Sequence, residues 1–424
     1  MKTLEPGAIL KAICEPEAYG GKPEFWDEAV TSMPPGLLPF LDKSAVTERA
    51  GKAGLPADLV PLLSGMIDTV ASDPNLRVFA WYMHWRVFVA PEKGIPWGAP
   101  TLLKHLADRA GLFYLLLSLE FVDRLDRWHR KLGYPMEVTA ETLQQIPSYV
   151  SNHQRGRGCP GIYEHQFPWL ATYLIQPYVR LGRLEFQLHP YGGGVTVWRR
   201  GSDKAVLALA EDGTCVSSDG LKLRNDSPGK KGWTAKLKVS KDRVAGHPVD
   251  PAGRILKKAV SLSLKDWTGY LKEGETVLDL HIPAGGGMNW ETIVSSFRRA
   301  AAFFRQYHPD RPFKALVVTT WFMDPRLADI LPPDSNPLKL QRAVSLYPTG
   351  PDPDSLWFVF LRSVTHTPAA SLPRDTSVQK AMAAYLEKGG TWNGGGFFLL
   401  PEDMENPREN IYRDRFAALS EELF

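Results

Sequence analysis

Cysteine is scarce in this chain. Cys14, Cys159 and Cys215 are the only three among 424 residues, widely spaced and with no C-x-x-C pair. An odd, scattered set excludes a disulfide framework and a thiolate zinc ribbon. The ten histidines form no H-E-x-x-H, so no metal is expected. Nothing fits G-x-x-x-x-G-K-[ST] or G-x-S-x-G, which removes the P-loop and the nucleophile elbow. Gly156, Gly158 and Gly161 do spell G-x-G-x-x-G, but no clear strand precedes them and Pro160 interrupts the run, so no dinucleotide site is expected there. Charge of one sign is also missing. A net charge of +3 gives no reason to expect a nucleic-acid or membrane-surface partner. The longest apolar run, "LFYLLLSLEFV" at 112–122, is shorter than the roughly 20 residues a membrane helix needs and reads as a buried helix. The start of the chain shows no apolar core followed by a small-residue cleavage site, and a cytoplasmic protein is expected.

What is present is a large, ordinary globular composition, 44% hydrophobic and 23% charged, with thirteen tryptophans. The length suggests two or three domains. Up to about residue 150 the pattern is helical, as in "PADLVPLLSGMIDTVASD", "NLRVFAWYMHWRVFV" and "TAETLQQIPSYVSNHQR". "RLGRLEFQLHPY" then alternates cleanly and predicts a half-buried strand, with Arg183, Glu185, Gln187 and His189 on its polar face. Strands follow at "GVTVWRRG", "AVLALAEDG" and "RILKKAVSLSLKDW", with a lysine-rich hairpin or loop between the last two. Further on, "FKALVVTTW", "SLWFVFL" and "GGFFLLP" read as strands separated by helices. The class is therefore α+β: a helical N-terminal region (1–110), a region of helices then strands (111–265), and a C-terminal domain (266–424) on a mixed, mostly antiparallel sheet flanked by helices.

The stretch with most chemistry is "ETVLDLHIPAGGGMNWETIVSSFRRAAAFF", residues 275–304. Alternation puts Val277, Asp279 and His281 on one face of a strand and Leu278, Leu280 and Ile282 on the other. A carboxylate and an imidazole thus stand two residues apart just before three glycines, Gly285 to Gly287. Asn289 is a helix N-cap, Glu291 suits the first turn, and Ile293, Val294, Phe297, Ala300, Ala301 and Phe304 form the buried stripe of the helix. Backbone N–H groups at such a helix start can hold phosphate oxygens, and His281 can take a proton near neutral pH. The same residues also read as a plain tight turn beside a hydrogen-bonded histidine.

Strand, glycine turn, helix, "KALVVTTW", helix, strand resembles the second half of the GNAT N-acyltransferase fold. The residues "YVRLGRLEFQ" (178–187), "VLDLHIP" (277–283) and "KALVVTTWFMDPRLADILPPDSNPLKLQ" (314–341), in that order, are similar to a bacterial group of acyltransferases. That group pairs an N-terminal acyltransferase region with a GNAT-like C-terminal domain. The resemblance covers roughly residues 110–424. It implies transfer of an acyl group from acyl-CoA, or from the phosphopantetheine of an acyl carrier protein, to an amine on a small molecule or peptide. It also implies a pyrophosphate-binding loop with the pattern Q/R-x-x-G-x-G/A, whose six positions fall on Ile282 to Gly287. Gly285 and Gly287 match, whereas Ile282 stands where Gln or Arg is expected. Ile282, Ala284, Gly285, Gly286, Gly287, Met288 and Asn289 are the donor-loop candidates.

Amine attack on a thioester needs a base, an oriented donor and a partner for the developing oxyanion. His281 is the first candidate base, with Asp279 as its orienting neighbour. Glu185 is the second, with a solvent-facing carboxylate paired to Arg183 as the alternative. Tyr347, at the end of a helix from "NPLKLQ", is the candidate general acid or else a packed tyrosine. Ser335 and Asn336 either reach the pantetheine arm or, with Asp334 and Pro337, simply start that helix. Trp321 and Asp324 belong to the resemblance without a chemistry the sequence supplies. Lysines 230, 231, 236, 238 and 241 could meet an acidic carrier protein or keep a hairpin edge soluble. Two further functions stand beside acyl transfer: a non-catalytic GNAT-like binding module, and a thioester hydrolase.

Overall fold

The computed structural model describes residues 5–14, 23–224 and 232–424. Lys230 and Lys231 lie outside them. Contacts divide the chain into two compact units: Met1–Leu181 with Ile282–Gly286, and Gly182–His281 with Gly287–Phe424. The sequence boundary expected at 110/111 falls within unit 1 at the start of helix Ala110–Ser118, and that at 265/266 falls within unit 2, just before strand Trp267–Leu271.

Unit 1 is helical up to its last short strand, Tyr178–Leu181. Its helices include Leu59–Ser72, Pro74–His84, Ala110–Ser118, Glu120–Lys131 and Gln145–Arg157. The apolar run at 112–122 lies in two of these helices, and Phe113, Leu115, Leu116, Leu117 and Phe121 are fully buried. Removing such side chains from water stabilises the unit by roughly 1.5–3 kcal/mol each. His84 is buried, with Nε2 3.2 Å from Glu120 Oε2.

Five strands of unit 2 position the candidate site: β1 (Leu184–Pro190), β2 (Thr276–His281), β3 (Leu316–Thr320), β4 (Ser345–Pro348) and β5 (Gly395–Leu399). They lie in the order β1-β2-β3-β5-β4. Strands β1 and β2 are antiparallel, as are β3 with β5 and β4 with β5, while β2 and β3 are parallel. Helix α1 (Trp290–Tyr307) follows the glycines after β2, with the Asn289 side chain accepting from Thr292 N at 3.2 Å. Its expected stripe, Ile293, Val294, Phe297, Ala300, Ala301 and Phe304, is buried. A second antiparallel sheet of unit 2, built from Arg254–Ile255, Pro248–Asp250, Val206–Ala210, Val195–Arg200 and Trp267–Leu271, packs its own core around Leu207, Leu209 and Trp267.

One strand was placed wrongly by the sequence pattern. "SLWFVFL" is not extended: Pro353–Leu356 is a 3-10 turn and Trp357–Phe360 a single helical turn. Asp352 starts it by accepting from Ser355 N at 3.3 Å. A short apolar run carries no period long enough to separate strand from helix, and the local cap decides. The fifth strand of the sheet is instead "SLYP", β4, which the pattern had run into the preceding helix α2 (Asn336–Ala343).

Candidate active site

The first half of the polar face of β1 does not look outward, whereas His189 near its end is exposed. Glu185 is 1% exposed and Gln187 4%, although the alternating pattern had predicted a half-buried strand. The reason is register: β1 lies beside β2 so that Glu185 stands opposite His281, Gln187 opposite Asp279 and His189 opposite Val277. Five polar side chains from two neighbouring strands therefore share one face. The reading of Glu185 as a solvent-facing carboxylate is excluded by its burial.

Three of those side chains meet at one point. Gln187 Nε2 lies 3.0 Å from Asp279 Oδ2 and 2.8 Å from His281 Nε2. Asp279 Oδ2 lies 3.2 Å from His281 Nε2. The sequence pairing of Asp279 with His281 is thus realised, while Gln187 enters as a partner the sequence had placed only on the same face. His281 keeps 31% of its side chain exposed and Asp279 25%, enough for a reactant to reach the ring. Burial pulls the imidazole pKa down, but the hydrogen bond and charge of Asp279, with the charge of Glu185, outweigh it and hold His281 above its ordinary value. Burial pushes the Asp279 carboxyl up, but the bonds from His281 and Gln187 outweigh that and hold it below the usual range.

Beside this cluster the sheet opens. The parallel pairing of β2 with β3 covers Leu278 with Leu316 and Asp279 with Val317. After that, Leu280 and His281 pair with β1, while Val318, Thr319 and Thr320 pair with β5. Two strands that stop bonding to each other leave their facing N–H and C=O groups available to something inserted between them.

Tyr347 lies in β4 and not at the end of α2. It is 2% exposed and lies within electrostatic reach of Asp279. Burial raises its phenol above the ordinary value. Its ring rests against Gly396 and Gly194. Glu211, whose Oε1 accepts from Gly194 N at 2.7 Å, fixes the second of these glycines. Sequence reasoning missed Tyr191, Gly194, Glu211 and Gly396. The available signal was the pair of glycine runs 192–194 and 394–396, which look like the run at 285–287 that drew attention.

The 285–287 run is the more open of these turns. Gly285 and Gly286 have φ of 82° and 58°, which explains glycine at both, and no atom lies within 4 Å of where a Cβ would stand at Gly285 or Gly287. Ile282 to Gly286, including Ala284, group with unit 1 by their contacts, whereas Gly287, Met288 and Asn289 belong to unit 2. Arg183 Nε donates to Gly287 O at 3.3 Å. Ser335 occupies the N-cap position of α2 without a capping bond, and its hydroxyl is buried and unbonded; Asn336 is the first helical residue.

Trp321 and Asp324, which follow β3, now have a structural account. Asp324 is fully buried and accepts from Arg326 through both oxygens, at 3.0 and 2.6 Å, and from the backbone of Asn393 and Gly394 at 2.9 and 3.2 Å. Trp321 O accepts from Trp392 Nε1 at 3.0 Å. Together these bonds tie the end of β3 to the loop that enters β5.

A model of the "GNAT-like C-terminal domain" matches residues 178–398, more than half the chain, and one of the "N-acyltransferase N-terminal domain" matches residues 45–174. The chain belongs to the N-acyltransferase family with a GNAT-like C-terminal domain. It is an acyltransferase, and the resemblance carried by "VLDLHIP" and "KALVVTTW" led to the right family. Among solved structures, it shares its fold with an acyltransferase in complex with CoA and 10C-teicoplanin, at 21% identity over 94% of this chain and 99% of that one, TM-score 0.61. An acyltransferase in complex with decanoyl-CoA matches at 22% identity over the same shares, TM-score 0.60. One in complex with decanoyl-CoA and teicoplanin matches likewise at 22%, TM-score 0.59. No curated protein sequence matches the chain. Among the described residues no group of three or more His, Cys, Asp or Glu could hold a metal ion, and no helix is long and apolar enough to cross a membrane.

Proposed function

We propose that this acyltransferase moves an acyl chain from acyl-CoA to an amine, with the thioester lying between β2 and β3 and His281 as the base. The observation that carries this reading is the parting of β2 from β3 immediately beside the Gln187–Asp279–His281 cluster. A thioester carbonyl placed in the gap can accept from a strand N–H that no longer has a sheet partner. The amine, shed of its proton by His281, attacks that carbonyl. The tetrahedral intermediate then expels the CoA thiolate, which is reprotonated, leaving an amide. The N-terminus of α1, entered from Gly287, suits the donor's pyrophosphate. The unbonded Ser335 hydroxyl suits the pantetheine arm, with Asn336 next to it in sequence and Trp321 at the end of β3 as further candidates. Tyr347, buried against Gly396 and Gly194, is the candidate proton source for the thiolate.

The fold neighbours support the donor and the acceptor class, since they were solved with CoA, decanoyl-CoA and teicoplanin. The test is a calorimetric titration with decanoyl-CoA, followed by mass spectrometry of thiol release and product with and without an amine acceptor. Binding followed by amine-dependent amide formation is expected. Thiol release that ignores the amine would make the protein a thioester hydrolase. Absence of binding would remove CoA as donor, and the same assay with an acylated carrier protein then decides between that donor and a binding module.

A further inference from the structure

The position of Gln187 has a consequence for the state of the histidine. A primary amide nitrogen carries two hydrogens and a carboxylate only accepts. With Gln187 Nε2 at 3.0 Å from Asp279 Oδ2 and 2.8 Å from His281 Nε2, one hydrogen goes to each. His281 Nε2 must then present its lone pair, and the ring hydrogen sits on Nδ1. Turning the amide around would set its oxygen about 3.0 Å from the Asp279 carboxylate, two acceptors with a single Nε2 hydrogen between them. The first arrangement gives each amide hydrogen an acceptor, two hydrogen bonds against the one shared hydrogen of the second, and leaves the Nε2 lone pair facing Asp279 Oδ2 at 3.2 Å until a proton arrives.

We propose that Gln187 is a positioning residue that holds neutral His281 in the Nδ1–H tautomer and must release Nε2 when the ring takes up a proton. A proton arriving at Nε2 turns that atom from acceptor to donor. It then bonds to Asp279 Oδ2, already 3.2 Å away, and the Gln187 hydrogen swings off while its partner stays on Asp279. Gln187 and the incoming proton therefore compete for one lone pair. The charges facing the ring are Asp279 on its own strand and Glu185 on β1, both favouring the imidazolium; His189 on β1 and Tyr347 on β4 act on Asp279. Gln187 is the neutral group working against them, and it keeps the base from staying protonated at neutral pH. The link to turnover rests on the acyl-transfer reading; the tautomer does not.

The experiment is ¹⁵N NMR of the full chain labelled at imidazole nitrogen, with His281 assigned through the spectrum of His281→Gln. In the wild type above its titration midpoint, His281 is expected as Nδ1–H. In Gln187→Met it is expected as Nε2–H facing Asp279, with a midpoint higher by about one pH unit, the weight of one neutral hydrogen bond. Gln187→Leu also removes the donor, without adding a charge, and is expected to shift the same way, which covers the case of a misfolded Met variant. The acid limb of the turnover profile should move in parallel. A wild-type Nε2–H tautomer, or a midpoint unmoved in both variants, overturns the proposal. The expected tautomer in a protein without acyl transfer would leave it standing and sink the enzymatic reading instead.

Discussion

Tyr347 and Gly396 are in register on neighbouring strands, and the tyrosine ring lies across the glycine backbone, so that a methyl group at 396 would stand 2.2 Å from the ring. Thr319 lies opposite Gly396 on its other side, in β3. The missing side chain lets a residue of β4 reach over β5 toward β3, and so brings a buried phenol within reach of Asp279.

Gly396→Ala is therefore expected to cost about 1–3 kcal/mol, the range for overpacking a filled core, because both the ring and the strand would have to yield. Gly287→Ala, at a position with open space around it, is the control and is expected to change little. Chemical denaturation of both variants checks the contrast. Equal losses would mean that the Tyr347 ring is easily displaced.

His281→Ala is expected to lower turnover by roughly 10²- to 10⁴-fold, the usual contribution of a general base, while decanoyl-CoA still binds. Steady-state kinetics with calorimetry alongside separates the two effects. Full turnover in the variant would move the role of base to Glu185, directly across the strand pair.

The pH dependence has a definite sign. His281 must be neutral to act, and Asp279 holds it above its ordinary value of 6.5, so activity should fall as pH drops through that raised value. Asp279→Asn removes the raising charge, and the acid limb is expected to move to lower pH, with a smaller maximum. Stability follows the same pair. The contribution through His281 is complete below 6.5 and lost as pH rises through the raised value, and that through Asp279 is complete above 3.8 and lost as pH falls through the depressed one. The urea midpoints of wild type and His281→Ala should thus differ most between those two values.

Asp324→Ala should destabilise far more than any exposed charge. It strands Arg326, which is 12% exposed, and frees the backbone N–H groups of Asn393 and Gly394. Breaking one side of a buried pair costs about 3–5 kcal/mol. Thermal unfolding measures it, and a loss below about 1 kcal/mol would show that solvent reaches the arginine.

Much of the site was legible because strand chemistry is local. Alternation alone put Asp279 with His281 and Glu185 with Gln187, and capping chemistry alone placed the start of α1 at Asn289. The family resemblance then supplied the acyltransferase. "SLWFVFL" and "SLYP" exchanged roles because a few apolar residues fit either backbone, and neighbours outside the segment decide between them.

The sequence by itself determined which side chains share a face, because the two-residue period of a strand is fixed by covalent geometry. It could not determine which faces meet. The register that sets Glu185 opposite His281, the end of β2–β3 pairing after Asp279, and the reach of Tyr347 across Gly396 each join residues on separate strands between 38 and 96 positions apart. Those pairings come from long-range packing and hydrogen bonding, which only the tertiary structure decides. They are what turned a half-exposed strand face into a buried cluster with one accessible base.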